Sequence, residues 1–298
     1  MKKTVFTGSA VALVTPMHED GSVNYEMLDR LVDFQLQSGT RGIVACATTG
    51  ESPTLMVEEH VKIVSRIVKK VGGRIPVIAS SGSNSTKSAV ELSKAMEDAG
   101  ADALLTITPY YNKTSQEGFV KHFFYIADRV HIPMILYNIP SRTGCNIQPE
   151  TYRKLAEHPN IVGVKEANGN LAANAEMMAL CGDNLTLYSG EDSLTLPILS
   201  IGGKGVVSTS ANVIPKQMES ICRDYFDGKE SSSRKTFLKY LDVMNALFID
   251  VNPIPVKAAM KMMGFDCGGC RLPLTSLSGK NTENLKNVLK RHGLAKEL

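Results

Sequence analysis

Lys165 ends the apolar run Ile-Val-Gly-Val-Lys at 161–165, a place from which a lysine can do chemistry. Alternate residues of an extended strand share a face, which groups Lys165 with Ile161 and Gly163. If that face is interior, desolvation favours the uncharged amine, the form that attacks a ketone and makes a Schiff base. A strand-end lysine can equally reach along its stem to solvent, and spacing alone does not choose between the two. Imine chemistry also needs groups that move protons, and hydroxyls follow other apolar runs in this chain. Thr48 and Thr49 stand in Thr-Thr-Gly-Glu-Ser (48–52), and Tyr111 in Pro-Tyr-Tyr-Asn (109–112). Tyr137 opens Tyr-Asn-Ile-Pro-Ser-Arg-Thr-Gly (137–144), which also carries Arg142, a residue type suited to holding a carboxylate. A single tyrosine at a strand end more often packs than reacts. Three hydroxyls around one lysine are harder to set aside.

Residues so far apart in sequence meet only if the fold brings strand ends together. Short β-type runs fall at 9–14, 42–47, 76–80, 103–107, 133–137, 161–165, 185–189 and 205–208. Most are continuous apolar runs, as expected of parallel strands covered on both faces. Helical periodicity lies between them. Leu28, Leu31, Val32 and Leu36 share one face, with Asn24 as N-cap and Gly39 as stop. Ala89, Leu92, Met96 and Ala99 do the same between Ser85 and Gly100. Eight strand–helix alternations predict an α/β protein, a (β/α)₈ TIM barrel, with its active site at the C-terminal ends of the strands. An open doubly wound sheet is the rival, but no Gly-x-Gly-x-x-Gly follows the first strand. The barrel is expected over residues 1–226. Residues 227–298 read as a helical appendage, with a polar stretch at 228–235 and helices over 237–248, 255–263 and 282–292.

Composition narrows the function classes. Among 298 residues, 33 Lys and Arg against 30 Asp and Glu leave +3, too little for a nucleic-acid footprint. No apolar run is long enough to span a bilayer. Lys2 and Lys3 before the apolar residues 5–14 resemble a signal peptide, but Thr7, Gly8 and Ser9 interrupt the run and it reads as the first strand. Six scattered cysteines are no disulfide framework and suit a reducing, cytoplasmic compartment. Cys267 and Cys270 form one lone Cys-x-x-Cys pair, and the six histidines show no ligand spacing, so no metal and no cofactor is expected. The glycine-rich run 202–205 lacks the P-loop pattern and reads as a turn before the eighth strand, with a barrel phosphate loop as the competing reading.

Taken jointly, these motifs resemble the dihydrodipicolinate synthase / N-acetylneuraminate lyase family of pyruvate-dependent class I aldolases. The likeness runs from Phe-Thr-Gly-Ser at 6–9 and Val-Thr-Pro at 14–16, through Val-Lys-Glu-Ala at 164–167 and Asn-Pro-Ile-Pro-Val-Lys at 252–257, to Arg-Leu-Pro-Leu at 271–274. Arg142, in that branch the holder of a substrate carboxylate, and the Thr48-Thr49 pair resemble the synthase branch rather than the lyases. The resemblance implies that Lys165 forms the Schiff base with pyruvate and that Tyr137 gives and takes protons in a relay with Thr48 and Tyr111. It implies that Thr49 and the Val207 carbonyl bind the ketoacid, that Gly190 leaves room beside the lysine, and that Arg142 holds the carboxylate of L-aspartate 4-semialdehyde. Tyr111 would enter the site of a neighbouring subunit, making a homodimer the minimal unit, alone or as half of a homotetramer. The implied reaction condenses the two substrates to 4-hydroxy-tetrahydrodipicolinate, the first committed step toward diaminopimelate and lysine. The alternatives are an aldolase or hydro-lyase of the same family acting on a sugar acid, or a non-catalytic ketoacid-binding protein. Feedback by lysine is expected to be weak or absent. Ser52, His60, Asn84 and Tyr110 match the inhibited pattern, whereas Pro53, Val57 and Ser88 depart from it.

Overall fold

Eight short strands rich in Val, Ile, Leu and Ala are buried along almost their whole length, and each pairs with two parallel neighbours. In the computed structural model, which describes residues 2–295, they are β1 (Gly8–Ala12), β2 (Gly42–Ala45), β3 (Val77–Ser81), β4 (Ala103–Ile107), β5 (Met134–Asn138), β6 (Ile161–Glu166), β7 (Thr186–Ser189) and β8 (Gly205–Ser208). They close in chain order into a barrel, β8 returning to pair with β1. The expected (β/α)₈ barrel is therefore the fold. Strand β2 is shorter than the expected 42–47, because Cys46 turns into the left-handed region at φ 53°.

Among the described residues twelve α-helices accompany the strands: α1 (Tyr25–Gln37), α2 (Val57–Val71), α3 (Thr86–Asp98), α4 (Gln116–Ala127), α5 (Pro140–Thr143), α6 (Pro149–Leu155), α7 (Leu171–Cys181), α8 (Thr195–Ser200), α9 (Pro215–Phe226), α10 (Glu230–Ala246), α11 (Ile254–Met262) and α12 (Gly279–Arg291). Local chemistry sets their starts. Asn24 Oδ1 accepts the Met27 N–H at 2.9 Å to open α1, and Ser85 caps α3 in the same way. The face expected on α1 is the buried one, with Leu28, Leu31 and Val32 inside and Leu36 partly covered. Residues 201–204 make the turn expected before β8, with the Gly203 N–H donating to Ile198 O and that of Lys204 to Leu187 O.

The barrel has two apolar layers. Outward side chains join the helices in one large core, whereas Ala10, Val44, Ile78, Leu105, Ile135, Tyr137, Tyr188 and Val207 fill the interior. Phe6 closes the floor by stacking on Tyr188 with ring centroids 4.2 Å apart, and Tyr188 Oη donates to Phe6 O at 2.8 Å. Burying a phenylalanine contributes about 1.5–3 kcal/mol, and a stacked pair roughly 0.5–1.5 kcal/mol more. Residues 5–14 are thus built into the barrel, as the strand reading expected.

The C-terminal helices pack on one flank. Helix α10 lies along α9, α12 contacts α10 and α11, and their buried faces (Phe237, Val243, Leu247, Val256, Met260, Leu285, Leu289) belong to the same outer core. The polar stretch 228–235 is helical from Glu230, which sequence reading did not expect. Two of its three serines are satisfied by α9: Ser232 Oγ donates to Asp224 Oδ2 at 2.8 Å and the buried Ser233 Oγ to Ile221 O at 2.7 Å. The last helix likewise starts earlier than 282, because Ser278 caps it. The outer limits of the expected spans 1–226 and 227–298, residues 1 and 296–298, lie outside the described residues.

Candidate active site

Strand pairing assembles the first part of the site. Tyr137 on β5, Lys165 on β6 and Tyr188 on β7 are successive register partners, so in a parallel sheet they point to the same side. Lys165 is 5% exposed and Tyr137 is 4% exposed. The Lys165 ammonium lies 4.2 Å from the centroid of the Tyr137 ring. The alternation expected along 161–165 needs one correction. The β5–β6 register shifts between Met134 and Ile135, so Met134 pairs with Ile161 but Ile135 pairs with Gly163. Ile161 therefore joins the outer core, while Val162 joins the interior beside Gly163 and Lys165. The lysine still faces inward because the bulge lies before it.

Gly190 follows β7 directly against the lysine. A Cβ there would sit 2.8 Å from Ala167 Cβ, 3.0 Å from Glu166 O and 3.1 Å from Lys165 Cγ, so a side chain would press on the lysine stem. Val207 lies in the interior layer on β8, 1% exposed. Behind these residues Asp192 is fully buried, its Oδ2 accepting from Ser210 N at 2.8 Å and Ser210 Oγ at 2.7 Å. Burial pushes the Asp192 carboxyl up, opposed by the hydroxyls of Ser208 and Ser210 and by the charge of Lys165.

Glu166 faces the other way and anchors the end of β6. Its carboxylate accepts from Tyr152 Oη at 2.7 Å, from Asn138 Nδ2 at 3.0 and 3.1 Å, and from the Asn168 N–H at 3.0 Å. Burial pushes this carboxyl up to about 7 despite those donors.

The second part of the site is held by loops. Thr48 and Thr49 sit in a 3₁₀ turn, Thr48–Gly50, after β2; Thr48 is half-buried and Thr49 buried. Thr49 Oγ1 lies 3.2 Å from Thr209 Oγ1 and accepts from Asn252 Nδ2 at 2.9 Å. Arg142 on α5 is exposed, with Nη2 donating to Asn252 O at 3.3 Å. The structure thus links Thr49 to Arg142 through Asn252. It does not bring Tyr111 in: that side chain is 89% exposed and its backbone is held at φ 69°. Among the described residues, no side-chain hydrogen bond joins Thr48, Tyr137 and Tyr111 to one another. Nor is any group of three or more His, Cys, Asp and Glu side chains placed there to hold a metal ion.

Sequence reading assigned no role to Asn252, Lys257, Glu51, Asp192 or Asn138, all of them buried here. One signal for Lys257 was available, a lysine inside the apolar run 254–260 that the α11 face must bury.

Comparison with known proteins identifies the family and agrees with the fold. The model of the dihydrodipicolinate synthetase family matches residues 5–292. The 4-hydroxy-tetrahydrodipicolinate synthase of Acetivibrio thermocellus is 50% identical across 99% of this chain and 100% of that protein. The crystal structure of dihydrodipicolinate synthase from Thermotoga maritima superposes with a TM-score of 0.96 at 43% identity, covering 98% of this chain and 100% of that one. The chloride-inhibited enzyme of Acinetobacter baumannii complexed with pyruvate gives a TM-score of 0.95 at 43% identity, again over 98% and 100% of the two chains. With its family model matched from end to end of the barrel and beyond, the chain belongs to the dihydrodipicolinate synthetase family.

Proposed function

We propose that the protein condenses pyruvate with L-aspartate 4-semialdehyde to give 4-hydroxy-tetrahydrodipicolinate, a lyase reaction on the route to diaminopimelate and lysine. The observation that carries this reading is the buried amine of Lys165 against the Tyr137 ring at the C-terminal rim of the barrel. Lys165 attacks the ketone carbon of pyruvate, and loss of water leaves a cationic imine. The positive nitrogen acidifies the pyruvate methyl group, and loss of a proton gives an enamine. The enamine carbon attacks the aldehyde, and the second substrate's own amine then displaces Lys165 and closes the ring. Tyr137 gives and takes the protons with Thr48 and with Tyr111 of a second copy, while Thr49 and the Val207 carbonyl hold the ketoacid. Arg142, exposed at the mouth, pairs with the carboxylate of the aldehyde, and Gly190 keeps space beside the lysine.

The exposed ring of Tyr111 supports the dimer as the smallest complete unit, with a tetramer as a pair of such dimers. We place the activity in the cytoplasm; among the described residues no helix is long and apolar enough to cross a membrane. We assign catalysis to residues 1–226 and completion of the site to 227–298. A sugar-acid partner is the competing reading, and the relatives at 50% identity, 4-hydroxy-tetrahydrodipicolinate synthases, do not favour it. Product formation with pyruvate and aspartate semialdehyde, measured beside pyruvate and N-acetylmannosamine, decides between them. Turnover with the semialdehyde alone is the expected result. Preferential use of the sugar would overturn the assignment.

A further inference from the structure

The turn that carries Thr48 and Thr49 is locked from outside the barrel by a buried ion pair. Lys257 Nζ lies 2.8 Å from Glu51 Oε1 and 3.1 Å from Thr15 O, and it also donates to Gly269 O. All three protons of the ammonium are thereby used. The other oxygen of Glu51 accepts the Arg271 N–H at 2.9 Å. Both side chains are withdrawn from water, with 2% of Lys257 and 0% of Glu51 exposed. Glu51 itself sits at φ 60° and ψ 35°, a left-handed backbone state that a glutamate holds only where its surroundings enforce it.

Two further contacts reach the turn. From the same stretch Asn252 donates to Thr49 Oγ1, and from the segment after β1 the Thr15 hydroxyl, next to the carbonyl that Lys257 grips, donates to Gly50 O at 2.7 Å. Arg271 donates to Thr54 O and pairs through Nη1 with Glu59 Oε2 at 2.7 Å. The 3₁₀ turn has no side-chain cap of its own. Segment 252–271 supplies all the side-chain and backbone partners of the Glu51 carboxylate, through Lys257 and Arg271.

We propose that Lys257, on a helix that follows the barrel, is a positioning residue. Through Glu51 it fixes the turn that receives the pyruvate carboxylate. A buried ion pair is a poor source of net stability, and in some proteins it serves instead to select one conformation. The role rests on the proposed pyruvate site at Thr49, and it predicts selective damage: pyruvate binding suffers while the aldehyde site, centred on Arg142, does not.

Glu51→Asp is the gentlest test. It keeps the charge that Lys257 needs, shortens the arm by one methylene, and aspartate enters the left-handed region more readily than glutamate. A second variant, Glu51→Gln combined with Lys257→Met, removes both charges and leaves no unpaired ion buried. In each, the KM for pyruvate is expected to rise about tenfold, with the KM for the aldehyde within about twofold of the parent, as for misplacement of one set of binding groups. The pyruvate concentration for half-maximal borohydride trapping should rise with it. Variants that trap pyruvate like the parent, or that lose both substrates equally in step with their melting temperature, would overturn the positioning role alone. A parent enzyme that forms no trapped pyruvate adduct would overturn the reading of the site beneath it.

Discussion

The two halves of the site are held in different ways. Tyr137 and Lys165 are neighbours because β5 and β6 pair in a register that makes them partners, and the buried Glu166–Tyr152–Asn138 cluster fixes the strand ends behind them. Thr48 and Thr49 ride on a turn with no side-chain cap, tied down by Asn252, Lys257 and Arg271 from the far end of the chain. Tyr111 is held by neither; its ring stands in solvent. A rigid sheet therefore carries the lysine proposed to form the covalent bond, while the groups proposed to recognise substrate are placed by tertiary contacts. Loss of Lys165 or of a member of the proposed proton relay should stop chemistry wherever that member sits, and changes at the proposed substrate-recognising groups in the loops should shift specificity.

The largest effect that sharpens this contrast concerns Tyr111. Tyr111→Phe and Lys165→Ala should each be nearly inactive alone, yet mixing them with subunit exchange should restore activity. In each heterodimer one site has its own Lys165 and a Tyr111 from the other copy, so about a quarter of all sites recover in an equal random mixture. No recovery, despite exchange verified by mass spectrometry, would return Tyr111 to its own subunit's site.

A smaller loss is expected at Arg142. Arg142→Ala removes a charge-assisted pair contributing about 1.5–3 kcal/mol, hence a roughly ten- to hundredfold drop in kcat/KM for the aldehyde. Imine formation with pyruvate should be unaffected. Equal damage to both half-reactions would make the arginine a structural residue and erase the difference between sheet and loops.

The smallest effect lies behind the sheet. Burial raises the Glu166 carboxyl from 4.5 to about 7, so the folded state binds this proton more tightly than the unfolded chain. The stabilisation from protonation is then complete below about pH 4.5 and fades as pH rises toward about 7. Burial raises Asp192 and Glu219 in the same direction, whereas arginines lower the carboxyls of Asp29 and Glu59. The informative quantity is thus the difference between parent and Glu166→Gln. The melting temperature of the variant should depend less on pH across this window, and parallel curves would refute the assignment.

What was legible in the sequence follows the same division. Eight apolar runs separated by amphipathic helices were enough for the barrel, because periodicity is a local property; they placed Lys165 and Tyr137 at strand ends but did not decide which way the lysine points. The bulge that moves Ile161 outward left no mark in the alternation, since it depends on how β6 meets β5. Helix α10 was read late because its first turns are polar, and only the α9 groups facing Ser232 and Ser233 explain them. Glu51 and Lys257 lie more than two hundred residues apart in sequence, and a buried pair of opposite charges has no period to read. Family motifs marked both positions without saying what joins them.

The central claim is that Lys165 is the amine that takes up pyruvate, and reductive trapping tests it most directly. Protein incubated with pyruvate and borohydride, then digested and mapped by mass spectrometry, should carry one reduced pyruvyl adduct, on Lys165, stable to denaturation. The buried position of that lysine against Tyr137 and Gly190 is the reason to expect a single site. Label on another lysine, or no label under conditions where the enzyme turns over, would contradict it.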